Sequence, residues 1–565
     1  MVWSQVYDPL GNVWLSALMA AIPVVVMLAC IAFGHMKAHY AAGLGLASAL
    51  LVAIWGFGMP ASLAWNAAGF GAAYGLLPIG WIVLNIIFLH QLTIENGSFT
   101  VLQDSLTNIT DDRRIQLLLI AFCFGAFFEG AAGFGTPVAV TAAIMIGLGF
   151  SPLAASGLCL IANTAPVAYG ALGTPVIALA AVTGLDLMHL SGMIGRILPL
   201  FSLLVPFWLI WAFAGFRGML QIWPAILVAG LSFAVPQYLV SNFHGPWLVD
   251  VVAAIVSMIS LILFLKVWKP SKVWTSVSLK GHADDSGVPD VASEQPHGHE
   301  ADVAVAIFKK HDRRALVLAW MPWVILTILV FIWGVPEFKK WVDGISLFKI
   351  PFSGLDNMVQ KVVPVVTTPH KEPAVYVLNW LSATGTGIFI ASLLSGVMMK
   401  YRLVDLVRIY GRTIWLVRYS LLTIVLMLAL GYLTRYSGTD ATLGIAFAHT
   451  GSLYPIFGTL LGWMGVALTG SDTAANVLFG GLQKTTAEQL GLNPLLMASA
   501  NSAGGVMGKM VDAQSIVVAS TATRWYGHES SILRFVFFHS LALAVLVGFF
   551  VFLLAYVPPF TALVH

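Results

Sequence analysis

Glu129 in FFEGAAG, Asp472 in LTGSDT, and Lys509 and Asp512 in GKMVD are ionisable residues set inside two patterned apolar regions. Placing such a group at membrane depth costs about 2.5–3.5 kcal/mol on insertion scales, so each needs a reason. A carboxyl group in a low-dielectric cavity is suited to binding and releasing a proton near neutral pH. Asp472 is the first candidate for a proton carrier and Glu129 the second. Each can instead be a permanently paired structural charge. Lys509 suits attraction of a substrate carboxylate, or neutralisation of Asp472 or Asp512. Asn163, Thr164, Ser471, Asn501 and Ser502 offer donors and acceptors that match a carboxylate with a neighbouring hydroxyl. The plainer role for Asn, Ser and Thr is to satisfy freed backbone groups or to join helices.

These residues belong to two stretches with one pattern. The first is CFGAFFEGAAGFGTPVAV followed by IANTAPVAYGALGTP; the second is WMGVALTGSDTAANVLF followed by SANSAGGVMGKMVDAQS. Gly125 and Gly130 correspond to Gly465 and Gly470, Gly149–Pro152 to Gly491–Pro494, and Ala162–Ala165 with Gly170 to Ala500–Ala503 with Gly508, at offsets of 340, 342 and 338. Glycine- or proline-interrupted apolar segments at matching places in two halves point to a transporter's binding site. Gly130, Gly133, Gly135, Gly470, Gly504 and Gly508 are the expected glycines of broken helices. Short helices ending at such breaks aim N–H groups inward and favour anions.

The composition sets the solvent. The chain has 565 residues, 59% hydrophobic and 9% charged, against roughly 25% charged in soluble domains; its mean hydropathy is +0.88. Its medium is lipid. A net charge of +3 gives no footprint for a nucleic-acid partner. Cys30, Cys123 and Cys159 lie in apolar runs and form neither a disulfide framework nor a zinc site, so no metal or cofactor is expected. MVWSQVYDPLGNVW lacks a basic leader region, which predicts no cleaved signal. The 19 tryptophans suit interfacial belts.

About 20 residues cross the hydrocarbon core. Conventional spans are expected near 13–34, 40–58, 64–91, 195–216, 220–240, 246–266, 315–334, 374–398, 413–433 and 535–557. The patterned regions, 115–185 and 455–520, should hold short, interrupted or re-entrant helices. The predicted fold is an all-α polytopic membrane protein with roughly 12–14 membrane segments. It divides into an N-terminal half (1–266), a polar cytoplasmic loop (267–312) and a C-terminal half (313–565). The loop is flanked by Lys266, Lys269 and Lys272 and by Lys309, Lys310, Arg313 and Arg314, which the positive-inside rule places in the cytoplasm. Its histidines, His282, His297, His299 and His311, suit a solvated linker better than a metal tract. Walking outward from it puts the N-terminus outside. His35, Lys37, His39, Arg113, Arg114, Arg217, Lys400 and Arg402 fall inside. The lysine-bearing segment 335–372 falls outside against the charge rule, where it suits an amphipathic piece on the surface. The two cores then run in opposite senses, an inverted repeat, unless a crossing hides within 437–452.

At these motifs the chain resembles the bacterial L-lactate permease family, including the similar glycolate permeases. The likeness runs from YDPLGNVW through FCFGAFFEGAAGFGTPVAV, GLCLIANTAPVAYGALGTP, SNFHGP, NWLSATGT and LTGSDTAAN to the DAQS that follows GKMV. It implies proton-coupled uptake of small 2-hydroxymonocarboxylates (L-lactate, with D-lactate and glycolate as further candidates) across the bacterial inner membrane, by alternating access. The family pattern has Ser-Pro before Gln-Ser; this chain has Asp512-Ala513, which counts against Asp512 as an obligatory proton carrier. Coupling to Na⁺ on the same fold is the alternative. A membrane-embedded enzyme would need a nucleophile with a base, or a metal cluster. No HExxH and no convincing Ser/His pair stands in the sequence, and no P-loop supports an ATP-driven pump.

Overall fold

The computed structural model describes all residues except 1, 33–35, 108, 132, 134–135, 278, 280–310, 367, 527 and 565. His35, Gly135 and most of the polar loop, with His282, His297 and His299, therefore lie outside the described residues. Apolar helices dominate. Among the described residues eleven are long and apolar enough to cross a membrane, or twelve if one bent pair is counted as a span, the lower bound of the expected range.

The first half begins with α1 (Val13–Ala32), α2 (Ala38–Leu51), α3 (Ala61–Tyr74) and α4 (Trp81–Glu95). The single span expected at 64–91 is broken between α3 and α4. Leu77 there leaves helical geometry (φ −136°, ψ 122°) ahead of Pro78, which offers no N–H. α5 (Ser98–Thr107) leads to α6 (Arg113–Leu117), which continues through a wide turn into α7 (Gly125–Ala131). α8 (Thr136–Gly147) and α9 (Pro152–Ala162) follow, then α10 (Gly170–Thr183), bent 64° from α9. α11 (Leu187–Gln221), α12 (Trp223–Phe243) and α13 (Val249–Val267) close the half.

The second half starts with α14 (Arg313–Gly334) and α15 (Pro336–Ser346). α15 carries Lys339, Lys340 and Trp341 on a short amphipathic helix, as expected for 335–372. Three short strands follow in that segment: β2 (Phe348–Pro351), β3 (Val359–Lys361) and β4 (His370–Glu372). The expected span 374–398 needs correcting. Its start is β5 (Val375–Leu378), paired antiparallel with β2, and α16 covers only Thr384–Met398. Val-Tyr-Val-Leu is a strand-forming run with a sheet edge to join. β1 (Trp3–Ser4) pairs parallel with β3. The N-terminus and 335–378 therefore share one end of the molecule. At another end Arg114, fully buried, ion-pairs with Asp112 at 2.7 Å and donates to the Gly218 and Lys272 carbonyls.

α17 (Leu403–Ser437) ends at Gly438 (φ 84°), and α18 (Thr439–Phe447) follows. Nine residues reach about 14 Å, short of a crossing. Thr442 donates to the Tyr7 carbonyl and His449 packs on Trp14 at 5.2 Å, so α18 stays beside the N-terminal segment. α19 (Tyr454–Thr469), α20 (Asp472–Leu490), α21 (Pro494–Gly508), α22 (Ala513–Ala522) and α23 (Glu529–Tyr556) complete the chain.

One helix start recurs in the two patterned regions. α9 and α21 both begin with a polar cap and a first-turn proline: Ser151 accepts from the Ala154 N–H, and Asn493 from the Leu495 N–H. That is a strong helix start. Asn163 lies twelve residues beyond its cap and Asn501 eight beyond its own. The matching tetrads thus stand one helical turn apart.

Candidate functional site

Gly470, at φ 74°, terminates α19, and Ser471 caps α20 by accepting from the Ala474 N–H at 3.3 Å. Asp472 is thereby fixed in the first turn of α20. The last turn of α21 ends at Lys509, and Asp512 caps α22 by accepting from the Ser515 N–H at 2.7 Å. In the first core, Ala171, Leu172 and Gly173 all take left-handed conformations (φ 45°, 57° and 79°) before α10 straightens. Non-glycine residues rarely hold such geometry, and it concentrates at functional sites.

These interruptions surround a cavity of about 230 Å³, below the roughly 300–1,000 Å³ of pockets for drug-sized ligands. It suits a solute of a few heavy atoms. Its polar lining includes Glu129, Ser471, Asp472, Lys509, Gln514 and Ser515; α1 and α17 supply Met27, Ile424, Met427 and Leu428 as the apolar side.

Lys509 donates to the Gly470 carbonyl at 2.6 Å and stands 3.4 Å from the Asp512 carboxylate. One cation therefore ties the end of α19 to the start of α22. Asp472, 3% exposed, accepts from Ser502 Oγ at 2.6 Å and Asn476 Nδ2 at 3.2 Å through the same oxygen. Its other oxygen has no partner, nor has one oxygen of the buried Glu129.

The structure brings Glu129, Ser471, Asp472 and Lys509 together. Asn163, Thr164, Asn501 and Ser502 do not line the cavity. Ser502 reaches it through Asp472. Asn501 donates to Asn476 Oδ1 (2.9 Å) and accepts from Gln483 Nε2 (3.1 Å), while Gln483 in turn accepts from Tyr454 (2.7 Å). Thr164 donates to the Ile161 carbonyl of its own helix. Asn163 faces Glu129 outside hydrogen-bonding geometry, and its amide has no partner. Gly133 (φ 61°) and Gly470 are chain breaks. Gly504 and Gly508 are not: they sit inside α21, where a Cβ would lie 2.1 Å from the Thr459 carbonyl and 2.3 Å from that of Trp463. They admit the backbone of α19. Gly130 lies inside α7 and admits Asp250 of α13 in the same way.

Sequence reasoning missed Thr469, Gln514 and Ser515, whose types are common in any helix. It also missed Asp250, 1% exposed, near Glu129 and without a partner on either oxygen. The rule that selects Glu129 applies equally to Asp250, a lone carboxylate in an apolar span.

The L-lactate permease family model matches residues 16–558. The chain is 43% identical to the glycolate permease GlcA of Escherichia coli K12, over 99% of both chains. It is 44% identical to the L-lactate permease of Bacillus subtilis and 42% identical to that of E. coli K12, over 98% of each chain in both cases. Among solved structures, the YdaH transporter of Alcanivorax borkumensis aligns over 87% of both chains with a TM-score of 0.41 and 13% identity. With its multi-pass helical architecture, the chain belongs to the L-lactate permease family.

Proposed function

We propose that this permease imports small 2-hydroxymonocarboxylates, L-lactate with D-lactate and glycolate as further candidates, in symport with protons across the bacterial inner membrane. The observation that carries the reading is the central cavity, where one buried ammonium and the first turn of α20 face two carboxyl groups each with an unpartnered oxygen. Lys509 and the N–H groups of Asp472 and Thr473 at the start of α20 would receive the substrate carboxylate. Ser471, Gln514 and Ser515 would meet its hydroxyl. Asp472 would carry the coupled proton, held in orientation by Ser502 and Asn476, with Glu129 as the second carrier. Asn163, Thr164 and Asn501 serve as support in this assignment.

Alternating access by two oppositely threaded cores, 115–185 and 455–520, is part of the proposal. It is supported by the matching cap-and-proline starts of α9 and α21 and by an α18 too short to add a crossing. The halves 1–266 and 313–565, the loop 267–312 in the cytoplasm and the N-terminus outside belong to the same reading. The unpartnered carboxylate oxygens suit Na⁺ as well as a proton. Uptake of radiolabelled L-lactate and glycolate into proteoliposomes under a pure pH gradient, without Na⁺, separates the two. Accumulation supports symport with protons; accumulation only when Na⁺ is supplied overturns it.

A further inference from the structure

A second cavity, of about 200 Å³, opens at the strand-bearing end of the molecule. Glu372 sits at its wall and is shared by three basic groups: Lys361, His370 and Arg435, each at 3.2 Å. Glu372 thereby ion-pairs both Lys361 and Arg435, so neither of these cations is free for a ligand. Lys484 enters from α20 and donates to the Thr183 carbonyl at 2.9 Å. No carboxylate lies within ion-pair distance of its ammonium among the described residues, so two of its three N–H donors remain for the cavity. Asp440 and Glu488 are also on the lining. Glu488 is exposed, and the Asp440 carboxylate lies against Gly481.

Two helices connect this cavity to the central one. α20 carries Asp472 at the central cavity and Lys484 at the second; α10 carries Thr174 at one and Thr183 at the other. Twelve residues of helix separate Asp472 from Lys484, about 18 Å. The seam between is tight. A Cβ on Gly480 would meet Leu179 at 2.8 Å and Thr183 at 3.1 Å.

We propose that this second cavity is a capture site for the substrate carboxylate, centred on Lys484, which concentrates the anion ahead of the central site at Lys509. The proposal rests on the transport reading above. The site takes a small monocarboxylate: its ammonium suits one carboxylate and its volume excludes a long chain. Capture ahead of the central site affects the substrate concentration needed for half-maximal uptake, not the maximal rate.

The test is radiolabelled L-lactate uptake by proteoliposomes, together with lactate binding counted per purified chain. Lys484→Met should raise the KM about tenfold, the loss of one charge-assisted contact, with the maximal rate unchanged. Bound lactate should fall from two per chain to one. Lys484→Arg should keep both values. Lys509→Met should also bind one lactate, retained in the second cavity. A wild-type stoichiometry of one, or an unchanged KM in Lys484→Met beside normal wild-type uptake, overturns the capture site alone. Absence of uptake of every short 2-hydroxy acid by the wild type overturns the transport reading beneath it.

Discussion

The two patterned cores carry the same residue types and treat them differently. In the second core the polar groups are braced: Tyr454, Gln483, Asn501, Asn476, Asp472 and Ser502 form one hydrogen-bonded chain across α19, α20 and α21. In the first core Thr164 is paired with the Ile161 carbonyl, but Asn163 and Glu129 stand outside any such chain. Asn163 has no partner for either amide atom, and Glu129 and the neighbouring Asp250 leave three carboxylate oxygens unpaired. Buried polar groups are almost always paired, so a group of orphans needs an explanation. The second core has orphans too, on Asp472, Ser499 and Ser515, so the contrast is sharpest between the two asparagines: Asn501 is held in a fixed geometry and Asn163 is left for a partner that comes and goes. A proton or a substrate hydroxyl arriving from the cavity is a partner of that kind.

The largest test compares the two carboxyl groups in that cavity. Asp472→Asn should abolish proton-driven accumulation of lactate while sparing counterflow exchange. Glu129→Gln should lower both, because Glu129 stands on the unbraced side where substrate and proton meet. Wild-type accumulation in Asp472→Asn would remove it from coupling. Wild-type behaviour of both variants would break the comparison.

Lys509 comes next, since it joins the braced core to the cavity. Lys509→Ala should raise the apparent KM for lactate by about tenfold or more, the scale of one charge-assisted contact. An unchanged KM with a lowered melting temperature would assign Lys509 to structure alone.

The paired asparagines give a smaller but sharper test. Asn501→Leu strands groups on Asn476 and Gln483, at a cost of about 1–3 kcal/mol each, and should lower thermal stability. Asn163→Leu removes an amide that nothing satisfies and should leave stability unchanged or higher while slowing uptake. Thermal unfolding and initial uptake rates measured on both proteins check the pair. Equal destabilisation would show that the two cores are braced alike.

This asymmetry also marks what the sequence could reveal. The break at Gly470–Ser471 was legible because its causes are adjacent in the chain: a left-handed glycine and a hydroxyl cap. The starts of α9 and α21 were legible for the same reason, a polar cap before proline. The partners of Asn501 were not, because Gln483 lies eighteen residues away and meets it only when α20 packs on α21. Val375–Leu378 read as the start of a span because four apolar residues do not reveal their period. The edge of β2 that captures them is a tertiary fact. Asp250 was visible as a residue but not as a neighbour of Glu129, which required α13 to reach Gly130.

The smallest expected effect lies outside both cores, where pairing is conventional. Burial alone would raise the pKa of Glu372, but Lys361 and Arg435 outweigh it and hold the carboxyl below its ordinary range. A depressed carboxylate contributes stability above its unfolded pKa of about 4.3, and loses it as pH falls through the lower folded value. Between neutral pH and about pH 5 the strand cap should therefore resist protease equally well; at lower pH it should open. Glu372→Gln should be more sensitive at neutral pH and flat across the range. Limited proteolysis of the 348–378 segment against pH measures both. A cap that loosened between pH 6 and 5 would move the controlling group away from Glu372. Ordinary ion pairing in the cap and unusual pairing at the cavity would then no longer be separable.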